Sequence, residues 1–148
     1  MAQSRIGALL LLLLLVGCAA PNYAYVVPDF SPRDLGEIAL TANGEFEADV
    51  ARLLEASFVE RGHSIVLVDA GGEIPVSAST ICYYSPIYDW SGGMLTELSL
   101  ELVEAKSGLL LAKSHAEIGT ISFGSPKTQL VTRAMSGLFP EDGAAGEK

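Results

Sequence analysis

Residues 94–103 alternate with period two: Leu98, Leu100 and Leu102 fall on one side, and Glu97, Ser99 and Glu101 on the other. Successive side chains of a strand point to opposite faces, so this segment reads as a strand with one dry and one wet face. Such strands belong to antiparallel sheets covered on a single side. Residues 104–108 form the turn, with Gly108 suited to a positive φ, and residues 109–118 return beside the first strand. Lys113, His115 and Glu117 share the wet face of that return strand.

The remaining pattern supplies the second layer. Phe46, Val50, Leu53, Leu54 and Phe58 recur at helical spacing. Asn43 reads as the N-cap, Glu45 and Glu47 as first-turn acids favoured by the helix dipole, and Arg61-Gly62 as the end. A short strand at 37–41 precedes this helix. Residues 64–69 follow it as a continuous apolar run, which predicts a strand buried on both faces. Gly71, Gly72 and Pro75 break that run, and residues 76–84, rich in β-branched and aromatic side chains, predict a further strand. Ser125 caps a second helix with Pro126 at its first position, and Val131, Ala134, Met135 and Leu138 form its buried stripe. One parallel crossover plus antiparallel strands gives an α+β fold, a two-layer sandwich of a mixed β-sheet with two helices packed on it.

The start of the chain carries an address. After Arg5, residues 6–16 are unbroken and apolar, including seven leucines from Leu9 to Leu15. A spanning helix needs about 20 such residues, whereas a charged start, a short apolar middle and a small-residue end describe an export signal. Leu15-Val16-Gly17-Cys18 resembles the bacterial lipobox. The resemblance implies cleavage before Cys18, a diacylglycerol on its sulfur and an acyl chain (palmitate) on its amine. Two or three acyl chains anchor stably where one does not. Ala19 and Ala20 follow the cysteine, and similarity to enterobacterial sorting then implies the outer membrane, facing the periplasm. The expected organisation is a signal peptide at 1–17, acylated Cys18 and a Pro-rich tether at 18–35, a single domain at 36–140 and a disordered tail at 141–148. Tyr23, Tyr25, Val26 and Val27 give part of the tether the makings of an edge strand.

With 18 acidic against 9 basic residues and a net charge of −9, the surface repels nucleic acid and anionic headgroups. The covalent lipid on Cys18 is therefore the expected membrane contact, with no other cofactor. Cys82 has no second cysteine to pair with once Cys18 is acylated. It reads either as a buried thiol on a strand or as half of an intermolecular disulfide.

Little in the chain suggests catalysis. His63 follows a helix C-terminus and His115 lies on the wet strand face, so both read as surface histidines without the spacing of a metal pair. Gly119 and Gly124 do not make a phosphate loop: Ser125 and Pro126 intervene before Lys127, and Pro126 removes an amide where phosphate would sit. Ser122 has the wrong spacing for a nucleophile elbow. Asp69, ending an apolar strand, leaves open a small ligand-binding enzyme that uses Asp69 and a histidine.

The strongest feature is aromatic. Tyr83, Tyr84, Tyr88 and Trp90 fall within eight residues around Pro86 and Asp89. Either alternate members fill the core or the segment is an interface, aromatics being enriched at both. Tyr84, Tyr88, Asp89 and Trp90 are the candidate partner-binding residues, with Tyr88 and Trp90, in the loop, the ones expected to be exposed.

Arg61-Gly62-His63 followed by 65–69 resembles the helix–glycine–strand core of small proteobacterial envelope lipoproteins, and 102–110 resembles their valine–acid–alanine–lysine–threonine–glycine hairpin. The core is similar to CsgG-like, LpoB-like and TolB amino-terminal-like domains, and Cys82, Tyr84, Tyr88, Asp89 and Trp90 resemble a cysteine-strand and Trp–Asp segment with the order reversed. The resemblance covers residues 36–139 and implies a non-enzymatic, protein-binding accessory role in envelope assembly or maintenance. The alternative it leaves is a self-associating structural subunit.

Overall fold

The computed structural model describes residues 22–118 and 125–140. The expected signal segment, the lipobox-like residues with Cys18, residues 119–124 with Ser122 and residues 141–148 lie outside the described residues. Six strands, β1 (Asn22–Val26), β2 (Glu37–Ala42), β3 (Ser64–Val68), β4 (Thr80–Tyr88), β5 (Leu95–Glu104) and β6 (Leu110–Glu117), form one sheet in the order β1-β6-β5-β4-β2-β3. β2 runs parallel to β3 and β4, and the other pairs are antiparallel. Helices α1 (Ala48–Glu60) and α2 (Pro126–Leu138) pack on it, giving the expected α+β two-layer sandwich.

The β5–β6 hairpin explains that arrangement. Leu98, Leu100 and Leu102 are each 0 % exposed, beneath Val131, Ala134, Met135 and Leu138 of α2 and Val50, Leu54 and Phe58 of α1. Each fully buried leucine contributes roughly 1.5–3 kcal/mol relative to an exposed one. On the opposite face the register sets Glu97 against Glu117, Ser99 against His115 and Glu101 against Lys113. The turn closes on Gly108 at φ 73°.

Several sequence expectations shift. The tether boundary at residue 36 moves to Asn22, because β1 pairs with β6 from Asn22 onwards and Leu35 and Phe30 join the core. β3 is an edge strand rather than a fully buried one. Its Val66 and Val68 pack with Ala39, Ala78 and Ile74 under the segment that crosses from β3 to β4, while Leu67 is 45 % exposed. β4 begins at Thr80 rather than at residue 76, and Val76 lies in the open in the preceding turn. It also runs on to Tyr88 through Pro86, which falls beyond the last β2 pair, Ala42–Tyr84, where proline is tolerated. α1 starts at Ala48 with Glu47 as N-cap, so Asn43 is not its cap and Phe46 is left exposed. The Asn43 amide instead donates to the Tyr84 carbonyl at 2.8 Å, prolonging the β2–β4 ladder.

The helix layer comes close to the sheet at Gly137, near the end of α2. A Cβ there would lie 2.8 Å from Ser114 Cβ on β6 and 3.2 Å from Ala24 Cβ on β1. Ser114, 1 % exposed, also donates its hydroxyl to the Ala134 carbonyl at 2.7 Å, pinning helix to sheet. Gly137→Ala gains about 1 kcal/mol of helix propensity, yet it forces α2 off β6 and β1. Thermal unfolding of this variant is expected to show a lower Tm than the parent, and a higher Tm would refute the close packing.

Candidate functional site

The aromatic segment divides at the sheet. Tyr84 is not a surface residue: it shares the helix-facing side of β4 with Cys82, between Ala42 and Leu100, and is 0 % exposed. Its ring therefore belongs to the core and is not available to a partner, which removes it from the expected binding set. Its hydroxyl is the one buried side-chain polar atom without a hydrogen-bond partner among the described residues. Cys82 is also 0 % exposed, and burial pushes its thiol well above the usual cysteine range. A buried, protonated thiol does not form an intermolecular disulfide.

Tyr88 is half-buried against the core, and its hydroxyl donates to the Glu47 carboxylate. Glu47 also takes Lys127 Nζ at 2.9 Å, and Lys127 reaches Asp49 at 3.0 Å. The end of β4 and the starts of both helices are thus tied through one carboxylate. Its hydrogen bond from Tyr88 and then that from Lys127 hold Glu47 below the usual carboxylate range. Burial, then the Glu47 bond, raises Tyr88 to about 12.

Beyond Tyr88 the chain turns around Asp89. Its carboxylate accepts from Ser91 Oγ at 2.8 Å, the Gly93 amide at 3.0 Å and the Met94 amide at 3.3 Å. These bonds, the Ser91 hydroxyl first, hold Asp89 below its ordinary range. Backbone bonds from the Asp89 amide to the Met94 carbonyl and from the Gly92 amide to the Asp89 carbonyl close the turn. Trp90 sits on this turn, 99 % exposed, with Ile87 and Met94 also exposed beside it. The turn is thus braced by side-chain bonds and displays a large apolar ring to solvent.

The polar candidates separate differently. His63 packs edge-on against Phe58 and beside Phe139, whose ring also takes Arg61, and burial followed by Arg61 lowers its proton affinity. His63 and Asp69 flank opposite ends of β3. At about 3.3 Å per residue they stand roughly 20 Å apart, too far to share a substrate. Asp69 contributes its carbonyl to the Thr41 hydroxyl at 3.2 Å, a structural bond. His115 departs from the surface reading: it is 8 % exposed, with Tyr23 of β1 stacked on its ring at 4.8 Å. β1 was the missing cover, and its docking is what sequence reasoning left open.

Among the described residues no helix is long and apolar enough to cross a membrane. No protein-family model matches the chain, and no curated protein matches it. Among solved structures it is similar to PelC from Paraburkholderia phytofirmans, crystallised as a dodecamer. A methionine-substituted form aligns with TM-score 0.56 at 12 % identity, over 81 % of this chain and 97 % of that one. A second crystal form aligns with TM-score 0.55 at 10 % identity over the same 81 % and 97 %. A PDZ domain protein from Parabacteroides distasonis aligns with TM-score 0.49 at 9 % identity, over 82 % of this chain and 35 % of that one. At these identities the PelC likeness shows a shared fold.

The depressed Glu47 carboxyl links this end of the molecule to pH. A group held below its ordinary value of 4.5 contributes stability above that value and loses it as pH falls through the folded one. Urea unfolding of Glu47→Gln is expected to give lower stability than the parent at pH 7 and a shallower loss between about pH 5 and pH 3. Parallel profiles for the two proteins would contradict that role.

Proposed function

We propose that this chain is a lipid-anchored envelope protein that binds another envelope protein, without catalysis, through the Trp90 turn. The observation that carries the reading is Trp90 itself, 99 % exposed on a turn braced by the Asp89 carboxylate. An exposed indole buries a large apolar area on binding, and tryptophan is prominent among interface hot spots. Asp89, Ile87 and Met94 supply the rim, and Tyr88 holds the turn to the two helix starts. The wide separation of His63 from Asp69 supports a binding role over a hydrolytic one. The lipobox-like Leu15-Val16-Gly17-Cys18 supports an acylated Cys18, and Ala19 and Ala20 support the outer membrane, with the domain in the periplasm. The lipid is the membrane contact, and the net charge of −9 makes nucleic acid an unsuitable partner.

A second reading, self-association, is favoured by one observation: PelC, which shares the fold, was crystallised as a dodecamer. Exposed edge strands β1 and β3 would be available for it.

The test is photo-crosslinking in the native host with a photoreactive residue at position 90, in the anchored protein and in a Cys18→Ser form. One dominant heterologous partner, weakened without the anchor, is expected. Crosslinks only to further copies of this chain would favour self-association, and none at all would overturn partner binding through the Trp90 turn. With the partner in hand, Trp90→Ala is expected to weaken binding by about 30-fold or more, the effect of a hot spot of roughly 2 kcal/mol, while stability changes by less than about 0.5 kcal/mol. Unchanged affinity would remove the turn from the interface.

A further inference from the structure

On the sheet face away from the helices, the β5–β6 register brings one ligand-bearing side chain of β5 beside two of β6. Glu97 and Glu117 are directly opposed, and His115 lies two pairs along, opposite Ser99, in the next pair on that face. His115 Nε2 is 3.2 Å from Glu117 Oε1 and 3.6 Å from Glu97 Oε2, and the three ligand atoms all lie within 4.8 Å of one another. Two donors each about 2.1 Å from one tetrahedral ion stand ~3.4 Å apart, so both His115–Glu separations match a shared ion.

Three further observations point the same way. Like charges directly opposite across a strand pair are destabilising, and among the described residues the only basic side chain within ion-pair distance of either carboxylate is His115. A single Nε2–H satisfies one of the two carboxylates, not both. Neighbouring cations are engaged elsewhere: Lys113 is paired with Glu101 at 2.6 Å, and Arg133 donates to the Glu117 backbone carbonyl at 2.8 Å. The imidazole is also pre-oriented. Its Nδ1 lies 2.8 Å from Ser99 Oγ and Tyr23 stacks on its face. In the tautomer whose Nδ1–H donates to Ser99, the Nε2 lone pair points between the carboxylates, as metal-ligating histidines are typically held by a second hydrogen bond. Glu97 and Glu117 are each about one-third exposed, leaving a route for an ion and for a water as fourth ligand.

We propose that Glu97, His115 and Glu117 form a binding site for one divalent first-row transition ion, with Ser99 and Tyr23 positioning the imidazole. Two carboxylates and a neutral imidazole carry a charge of −2, which a divalent ion neutralises, and the mixed nitrogen–oxygen set suits Zn²⁺.

The test uses the full chain carrying Cys18→Ser, in detergent, so that the thiol at position 18 does not compete for the ion. After metal stripping, Zn²⁺ is titrated calorimetrically, bound zinc is measured after gel filtration and Tm is recorded with and without Zn²⁺. One zinc per chain and a raised Tm are expected. Glu97→Gln, at a partly exposed position that leaves the core intact, and His115→Gln are expected to abolish retention. Ser99→Ala, which removes only the orienting partner, is expected to weaken affinity about 10- to 100-fold, and His63→Ala to leave it unchanged. No retained zinc in the parent would overturn the proposal. So would retention that survives Glu97→Gln and Ser99→Ala, or that is lost in His63→Ala, since the ion would then sit elsewhere.

Discussion

The fold depends on a hairpin whose two strands are apolar on one face and polar on the other. Leu98, Leu100 and Leu102 on β5, with Ala112, Ser114 and Ala116 on β6, meet the helices, and small residues on β6 let α2 approach closely enough that only glycine fits at position 137. Because side chains alternate strictly, the same register that buries the leucines fixes the polar face. Glu97, Ser99 and Glu101 cannot avoid meeting Glu117, His115 and Lys113. The packed core and the polar constellation on the far side follow from one pattern read from its two sides.

Polar contacts hold both ends of the sheet to the elements beside it. At one end Tyr88, Glu47, Lys127 and Asp49 join β4 to the beginnings of α1 and α2. At the other, Thr80 donates to the Leu35 carbonyl at 2.7 Å, holding the chain after β1 against the start of β4. The Trp90 turn projects just past the first of these ties. Its backbone is braced by the Asp89 carboxylate, and it follows directly on Tyr88, which is held to the helix starts.

The sequence made some of this legible and concealed the rest for identifiable reasons. The hairpin, its turn at Gly108 and the stripe of α2 were readable, because period two and period 3.6 are strong local signals. The docking of β1 was only partly readable. Its alternation of Ala24 and Val26 with Tyr23 and Tyr25 is short and interrupted by nearby prolines, and only pairing with β6 makes it a strand. The start of α1 was misplaced because Asn43 looked like a cap, whereas its amide completes the β2–β4 ladder. Within the aromatic segment, parity decides between core and surface. Tyr84 follows Cys82 by two residues and goes inward with it, and Trp90 lies past the strand, where parity no longer applies. The Glu97–His115–Glu117 cluster does not follow from counting outward from the turn, because a register shift between Leu102 and Val103 offsets the pairs that set 101 against 113, 99 against 115 and 97 against 117.

The central claim is that the indole on the Asp89 turn is free in the isolated protein and covered in the envelope. Trp90 is the single tryptophan of the chain, so its fluorescence reports on that turn alone. The most direct measurement compares emission and acrylamide quenching of the purified full chain with those of the chain in its native membrane complex, using a tryptophan analogue with a distinguishable spectrum. Red-shifted, freely quenched emission in isolation and shifted, protected emission in the complex are the predicted results. Protection already present in the isolated chain, or free quenching in both states, would contradict a partner-binding role for this turn.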